Sequence, residues 1–144
     1  MSAENALRDR IEALGDAAEA LMRRSMLLTS EWSREELDTL LTLVDLLQDL
    51  DSAGVPTSLF PDELHLAVFF DSSTRTKSSW AGAAARLGAR PMVVDGATTQ
   101  VAHGETPEET GAMLGMNAHA LGFRHDLILG EGNRFMRDAL TGLT

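Results

Sequence analysis

The run "LHLAVFF" at residues 64–70 constrains the fold more than any other stretch of the sequence. Apart from His65 it is apolar at odd and even positions alike, so a strand formed here needs cover on both faces. Such a strand is typical of a parallel sheet that lies between two layers of helices. Two further short strands are predicted, at 91–95 ("PMVVD") and at 120–124 ("ALGFR"), the latter weakened by Gly122.

Helical segments alternate with these strands. Apolar spacings of three and four residues predict an amphipathic helix over 4–25. Capping or stop signals mark three more helices, which begin after Ser33, run over 76–87 up to Gly88, and begin after Thr106 with Pro107 at the first position. Residues 96–105 have no period and are predicted as a loop, and 133–144 look like a helix that has barely begun. The order predicts an α/β domain with three layers, in which helices flank a central, mostly parallel sheet.

Composition excludes several classes of function. The chain has 144 residues, 12 Lys and Arg against 22 Asp and Glu, and a net charge of -10, which disfavours nonspecific binding to nucleic acid. It has no cysteine, so disulfides and thiolate chemistry are excluded. No apolar run is long enough to span a bilayer, and the first residues lack the pattern of a secretory signal. We therefore expect a cytoplasmic protein that binds neither membrane nor nucleic acid.

The stretch "FFDSSTRTKSSW" at 69–80 carries six hydroxyl side chains and two cations where the first strand meets the following helix. In parallel sheets, ligands lie beyond the carboxyl ends of the strands, and a helix N-terminus there binds phosphate through its unpaired N–H groups. The stretch therefore predicts a phosphate-binding turn. The alternative is that Ser72 or Ser73 only caps the helix and that the cations are solvated. A P-loop, a dinucleotide fingerprint and a glycine-flanked serine nucleophile are all absent.

The stretch "FFDSSTRTKSSWAGAAARLGA" resembles the carbamoyl-phosphate signature of the aspartate and ornithine carbamoyltransferases. The resemblance covers roughly residues 26–138 and includes "EWSREELDTLLTLVDLL", "HGETPEET" and "FRH". Within that superfamily, "FDSSTRTK", "AHGET" and "GEG" are most similar to the YgeW-type knotted carbamoyltransferases. The resemblance implies a carbamoyl-phosphate-binding domain over 26–144, preceded by a separate N-terminal helix over 1–25.

The resemblance also implies roles for particular residues. Ser73, Thr74, Arg75 and Thr76 would bind the phosphate, and Arg124 would reach both the phosphate and the carbonyl oxygen. Arg75, Thr76 and Arg124 would then be catalytic, acting by position and charge with no metal or organic cofactor.

The resemblance also implies that a loop of each subunit reaches the site of a neighbouring subunit. Gln100 and His103 would reach the site of a neighbour within a homotrimer. Equally, His103 could be an ordinary loop residue. Lys77 stands where better-known members have a second arginine, and His103 stands where the aspartate enzyme has a lysine, which affects the charge of the loop near neutral pH.

Members of this family have a second domain that binds the amine or amino-acid co-substrate, and nothing in the sequence supplies it. We therefore expect a carbamoyltransferase domain that is inactive alone and transfers the carbamoyl group when joined to that second domain. The alternative is a non-enzymatic anion-binding or assembly module of the same fold. His65, His119 and His125 have no spacing typical of a metal site, and His125 is most simply a polar residue at a strand end.

Overall fold

The computed structural model describes residues 3–143 and divides between Thr57 and Ser58 into two compact units. The first unit contains two helices and a short 3-10 turn: α1 (Ala3–Glu19), Thr29–Glu31 and α2 (Arg34–Ser52). The second unit contains the sheet and three helices. The boundary predicted between residues 25 and 26 from the resemblance stays a prediction.

In the first unit, α1 and α2 pack against each other. The predicted start of α2 is confirmed, because Ser33 Oγ accepts from Glu36 N at 3.1 Å while Glu36 Oε2 accepts from Ser33 N at 2.8 Å. The predicted helix over 4–25 is shorter, since α1 ends at Glu19. Arg23 has a φ of 59°, a left-handed conformation that an α-helix cannot contain.

The second unit is a parallel three-stranded sheet with the order β2-β1-β3, which confirms the predicted α/β fold. Its elements follow in chain order: β1 (Leu64–Phe69), α3 (Arg75–Arg86), β2 (Arg90–Asp95), the 3-10 turns Gly96–Thr98 and Gln100–His103, α4 (Pro107–Gly115), β3 (Ala120–Arg124) and α5 (Glu131–Thr141). The two 3-10 turns lie where the sequence predicted a loop.

The strand order fixes the layers. β1 is central, and its residues from Leu66 to Phe69 are at most 3% exposed, as predicted for a strand covered on both faces. The chain leaves β1 through α3 towards β2, and it returns through α4 across β1 to β3. Since crossovers between parallel strands are right-handed, these opposite directions place α3 and α4 on opposite faces of the sheet. The strand order therefore reverses between β1 and β3, which is the position at which ligands bind in such sheets.

Two glycines allow close packing in this unit. A Cβ on Gly122 would lie 2.8 Å from the ring of Trp80, so the glycine that weakened the prediction of β3 makes room for a tryptophan of α3. A Cβ on Gly111 would lie 2.0 Å from the carbonyl oxygen of Ala139, so α4 and α5 approach backbone to backbone.

The helix predicted over 133–144 is confirmed, but it begins earlier, at Glu131, and is more complete than expected. α5 has 11 residues and buries Phe135 and Ala139, because apolar residues spaced by four place one face of it in the core. Across residues 3–143, no helix combines the length and the apolar character needed to cross a membrane.

Candidate anion-binding site

The carboxyl ends of β1 and β3 meet where the strand order reverses. The register pairs Phe69 with Arg124, and Phe70 N donates to the carbonyl oxygen of Arg124 at 2.9 Å. After β1 the chain makes a short turn before α3 begins at Arg75. The pairing therefore holds Arg124 beside this turn, although the two are far apart in sequence.

The Arg124 side chain joins the two strand ends. Its Nη1 donates to Ser73 Oγ at 2.8 Å and to Thr76 Oγ1 at 3.2 Å. A hydroxyl that accepts one hydrogen bond keeps its own hydrogen for donation to a further group. The structure thus brings Ser73, Thr76 and Arg124 together, and the Arg124 side chain remains 35% exposed. One guanidinium and two hydroxyls at this position form a set of donors suited to an oxyanion.

The start of α3 adds backbone donors. Thr74 occupies the N-cap position, and its side chain makes no capping hydrogen bond. The first N–H groups of a helix lack partners within the helix, and they carry partial positive charge. Ser73 does not hold the cap position that the alternative interpretation gave it, and its Oγ accepts from Arg124 instead.

The two cations of the turn are placed differently. Arg75 is the first residue of α3 and is exposed. Lys77 Nζ lies 5.4 Å from the centre of the Phe69 ring, within the range of a cation–π contact. Lys77 therefore faces the end of β1.

Two carboxylates that the sequence analysis missed also contact Arg124. Asp126 Oδ2 accepts from Nη2 at 2.8 Å and from Nε at 3.3 Å, and Asp71 Oδ2 lies 3.2 Å from Nη2. The Asp71 side chain is 12% exposed, whereas that of Asp126 is 54% exposed. Both residues lie within two positions of a strand's carboxyl end, and this placement was the signal that could have identified them.

The three charged groups shift one another's pKa values. Burial raises the pKa of Asp71 above its ordinary value, a hydrogen bond with Asp126 adds to the rise, and the charge of Arg124 opposes it. The hydrogen bond from Arg124 lowers the pKa of Asp126, and the same hydrogen bond raises the pKa of Arg124. Near neutral pH the guanidinium is therefore firmly charged, and of the two carboxyls Asp71 binds a proton more readily.

Gln100 and His103 lie elsewhere in the second unit. They line an open groove of about 500 Å³ whose other lining residues are Gly104, Glu105, Glu109 and Met113. Glu105 Oε1 accepts from Thr110 Oγ1 at 2.6 Å, and Glu109 caps the start of α4. None of these groove residues belongs to the turn, so the structure does not bring Gln100 and His103 together with Ser73, Thr76 and Arg124.

His125 follows Arg124 but packs among aromatic rings. Its ring centre lies 4.8 Å from that of Phe70 and 6.1 Å from that of Phe135. Across residues 3–143, no three His, Asp or Glu side chains are grouped as a metal site would require.

Residues 24–139 match the sequence family described as the aspartate/ornithine carbamoyltransferase, carbamoyl-P binding domain. This match covers most of the chain. The chain belongs to that family. The resemblance stated from "FFDSSTRTK", "HGET" and "FRH" is therefore confirmed.

Individual carbamoyltransferases agree with this assignment. YgeW of Escherichia coli strain K12, which is named as a carbamoyltransferase, is 37% identical over 128 residues, or 89% of this chain and 32% of YgeW. The ornithine carbamoyltransferase of Geobacter sulfurreducens is 37% identical over 93 residues, or 65% of this chain and 31% of that protein. This chain thus spans about a third of the length of these carbamoyltransferases.

Solved carbamoyltransferase structures share the fold. The ornithine carbamoyltransferase of Pyrococcus furiosus superposes with a TM-score of 0.76 at 25% identity, over 86% of this chain and 38% of the other. The aspartate transcarbamoylase of Trypanosoma cruzi, solved in complex with carbamoyl phosphate, gives a TM-score of 0.72 at 25% identity, over 85% of this chain and 38% of the other.

Proposed function

We propose that this chain binds carbamoyl phosphate at the turn between β1 and α3 and serves as one half of a carbamoyltransferase. The observation that carries the proposal is the contact of Arg124 Nη1 with the hydroxyls of Ser73 and Thr76. It gathers oxyanion donors from two strand ends at the position where α/β sheets bind ligands. The family match and the Trypanosoma cruzi complex with carbamoyl phosphate support the choice of ligand.

Each donor has a distinct role in this proposal. Ser73, Thr74, Arg75 and the first N–H groups of α3 bind the phosphate oxygens, because together they offer several donors and one fixed charge. Arg124 and the Thr76 hydroxyl bind the carbonyl oxygen, and Arg124 also reaches the phosphate. Arg75, Thr76 and Arg124 are then the catalytic residues, since the charge that develops during transfer falls on the oxygens that they contact.

The proposed reaction is an acyl-type transfer. The nitrogen of an amine attacks the carbamoyl carbon, and negative charge builds on the carbonyl oxygen. The bond from carbon to the phosphate oxygen then breaks, phosphate leaves with the electron pair, and the proton that the attacking nitrogen loses ends on the released phosphate. Positioning and electrostatic stabilisation suffice for this chemistry, so the proposal invokes neither a metal nor an organic cofactor.

The remaining parts of the proposal extend beyond this chain. A second domain supplies the acceptor site, and the acceptor is an amino acid or a related amine, as the names of the ornithine and aspartate enzymes suggest. Three copies form a cytoplasmic homotrimer in which Gln100 and His103 act on a neighbour's site. Gln100 and His103 line a groove that contains none of the turn residues of the same chain, and this separation is compatible with a role at a neighbour's site. Glu105 and Glu109 in the groove do not favour an anion there.

Calorimetric titration tests the proposal directly. The folded chain is titrated with carbamoyl phosphate and with phosphonoacetate, and we expect heat of binding from both. Arg75→Ala should abolish the binding. Arg90→Ala is the matched control, because it removes an equal charge from the start of β2, at the opposite end of the sheet. The proposal would be contradicted if neither ligand gave heat of binding, or if Arg75→Ala bound the ligands with the same affinity as the wild type.

A second candidate function is an anion-binding or assembly module without turnover. The observation that favours it is the contact of Arg124 with both Asp71 and Asp126, which offsets the positive charge available to an anion. Carbamoyl transfer measured on the longest product of the gene distinguishes the two candidates. Robust turnover excludes the second candidate, whereas anion binding without turnover in that product favours it.

A further inference from the structure

The guanidinium of Arg124 has two edges, and they face different partners. The Nη1 group donates to the hydroxyls of Ser73 and Thr76. The edge formed by Nε and Nη2 donates to Oδ2 of Asp126, at 3.3 and 2.8 Å, and its Nη2 also lies 3.2 Å from Oδ2 of Asp71. An oxyanion that binds an arginine in the common two-point geometry needs both nitrogens of one edge, and here that edge is held by a carboxylate of the same chain.

The Asp126 side chain is held by polar contacts with Arg124 and Asp71 at the surface. It is 54% exposed, and the three residues after it are among the most exposed apolar side chains of the described chain, at 65% for Leu127 and Ile128 and 103% for Leu129. The carboxylate can therefore turn towards water without breaking a packed core. Asp71 is different, because its side chain is only 12% exposed and lies between the strand end and Arg124.

We propose that Asp126 sets the affinity of this site: its carboxylate holds the Nε and Nη2 edge of Arg124 until an anion displaces it. The inference rests on the proposed function and assigns a regulatory contact to the same site. The Asp126 carboxylate competes with the phosphate of the ligand for the Arg124 guanidinium, whereas Asp71 stays in place and orients the guanidinium. This competition lowers the affinity for carbamoyl phosphate.

The test measures the affinity for phosphonoacetate by calorimetry at 0.15 M ionic strength. Asp126→Asn keeps the shape of the side chain and removes its charge, and we expect binding to tighten about two- to fivefold, the worth of an exposed ion pair. Asp62→Asn is the charge-matched control, because Asp62 is exposed and lies before the start of β1, at the other end of the sheet. Its effect should be small, since exposed charges farther apart than about 8 Å are screened at this ionic strength.

A double variant tests whether Asp126 lowers the affinity through its contact with Arg124. In Arg124→Gln the edge that Asp126 occupies no longer carries charge, so adding Asp126→Asn should leave the remaining affinity unchanged. If Asp126→Asn still increases the affinity in the Arg124→Gln variant, the inference is overturned, because the gain would then come from the lower negative charge of the protein and not from the contact with Arg124.

The outcomes separate this inference from the proposed function. Binding by the wild type with equal or weaker binding by Asp126→Asn would overturn the inference and leave the proposed function standing. The inference is supported if Asp126→Asn binds more tightly than the wild type and if the same substitution gives no gain in affinity in the Arg124→Gln background. If no variant binds phosphonoacetate, the proposed function fails and the inference fails with it.

Discussion

The two ends of the sheet both carry polar side chains, but they use them differently. At the amino end, His119 Nδ1 accepts from Leu64 N at 3.2 Å, and His65 Nε2 lies 2.9 Å from Glu63 Oε2. At the carboxyl end, Arg124 and the hydroxyls of Ser73 and Thr76 form a set of donors beside the start of α3. The amino end pairs acceptors with donors of the scaffold itself, whereas the carboxyl end combines a guanidinium, two hydroxyls and the first N–H groups of α3 with two carboxylates. The proposed anion site therefore lies at a helix start, where N–H groups without helical partners can offset the net negative charge of the chain.

The largest effect should come from removing the cation of the carboxyl end. Arg124→Ala should weaken binding of phosphonoacetate at least about 30-fold, because it removes hydrogen bonds to a charged ligand. Calorimetry measures the change, and Arg90→Ala at the amino end should bind as the wild type does. Equal losses in the two variants would mean that the ends of the sheet do not differ in the way described.

A smaller loss should follow from removing one hydroxyl. Thr76→Val keeps the size of the side chain but removes the acceptor for Arg124 Nη1 and a donor to the ligand. We expect binding to weaken about two- to tenfold, which corresponds to one neutral hydrogen bond. Ser79→Ala serves as the control, because Ser79 Oγ donates to the backbone oxygen of Thr76 within α3. Similar affinity in Thr76→Val and the wild type would remove Thr76 from the proposed site.

At the amino end a substitution should change stability and leave binding intact. His119→Ala removes the acceptor for Leu64 N, and we expect the free energy of unfolding to fall by about 1 kcal/mol. Urea denaturation measures the loss, while calorimetry should give an unchanged affinity for phosphonoacetate. Loss of binding in the folded variant would show that the two ends are coupled.

The smallest expected effect is a pH dependence from Asp71. Its pKa is raised above 3.8 mainly by burial, so the folded state favours the protonated form. The stability from this group is complete below the unfolded pKa near 3.8, and it is lost as pH rises through the higher folded pKa. Thermal melting of Asp71→Asn and the wild type from pH 3 to 7 should therefore show the variant gaining relative stability as pH rises above about 4. A difference in melting temperature that stays constant over this range would contradict the shift.

The sequence predicted the parts of the fold and site that depend on local patterns. A continuous apolar run predicted β1, and capping residues predicted the starts of α2 and α4, because these signals act over a few residues. Resemblance added Arg124, whose meeting with Ser73 depends on the pairing of β1 with β3 and has no local signal. Asp71 and Asp126 were missed because carboxylates beside an anion site run against simple charge matching.

Other differences depended on packing that no short pattern reveals. Gly122 weakened the prediction of β3 until the position of Trp80 explained it. The spacing of Phe135 and Ala139 was the signal that could have predicted the full length of α5. The grouping of Gln100 and His103 with the turn residues came from resemblance, and their role in a trimer stays a prediction.

The contact between Arg124 and Ser73 also has a consequence for folding. These residues are 51 positions apart, so the donor set is complete only after the outer strand has joined the central one. Pairings between distant segments form late, because closing long loops opposes them. With β3 unpaired or out of register, Arg124 would not reach Ser73 and the donor set would stay incomplete. The rate at which ligand binding appears during refolding should therefore report the rate at which β3 pairs with β1. Excess ligand should slow global unfolding, because it stabilises the folded state in which the two strands are paired.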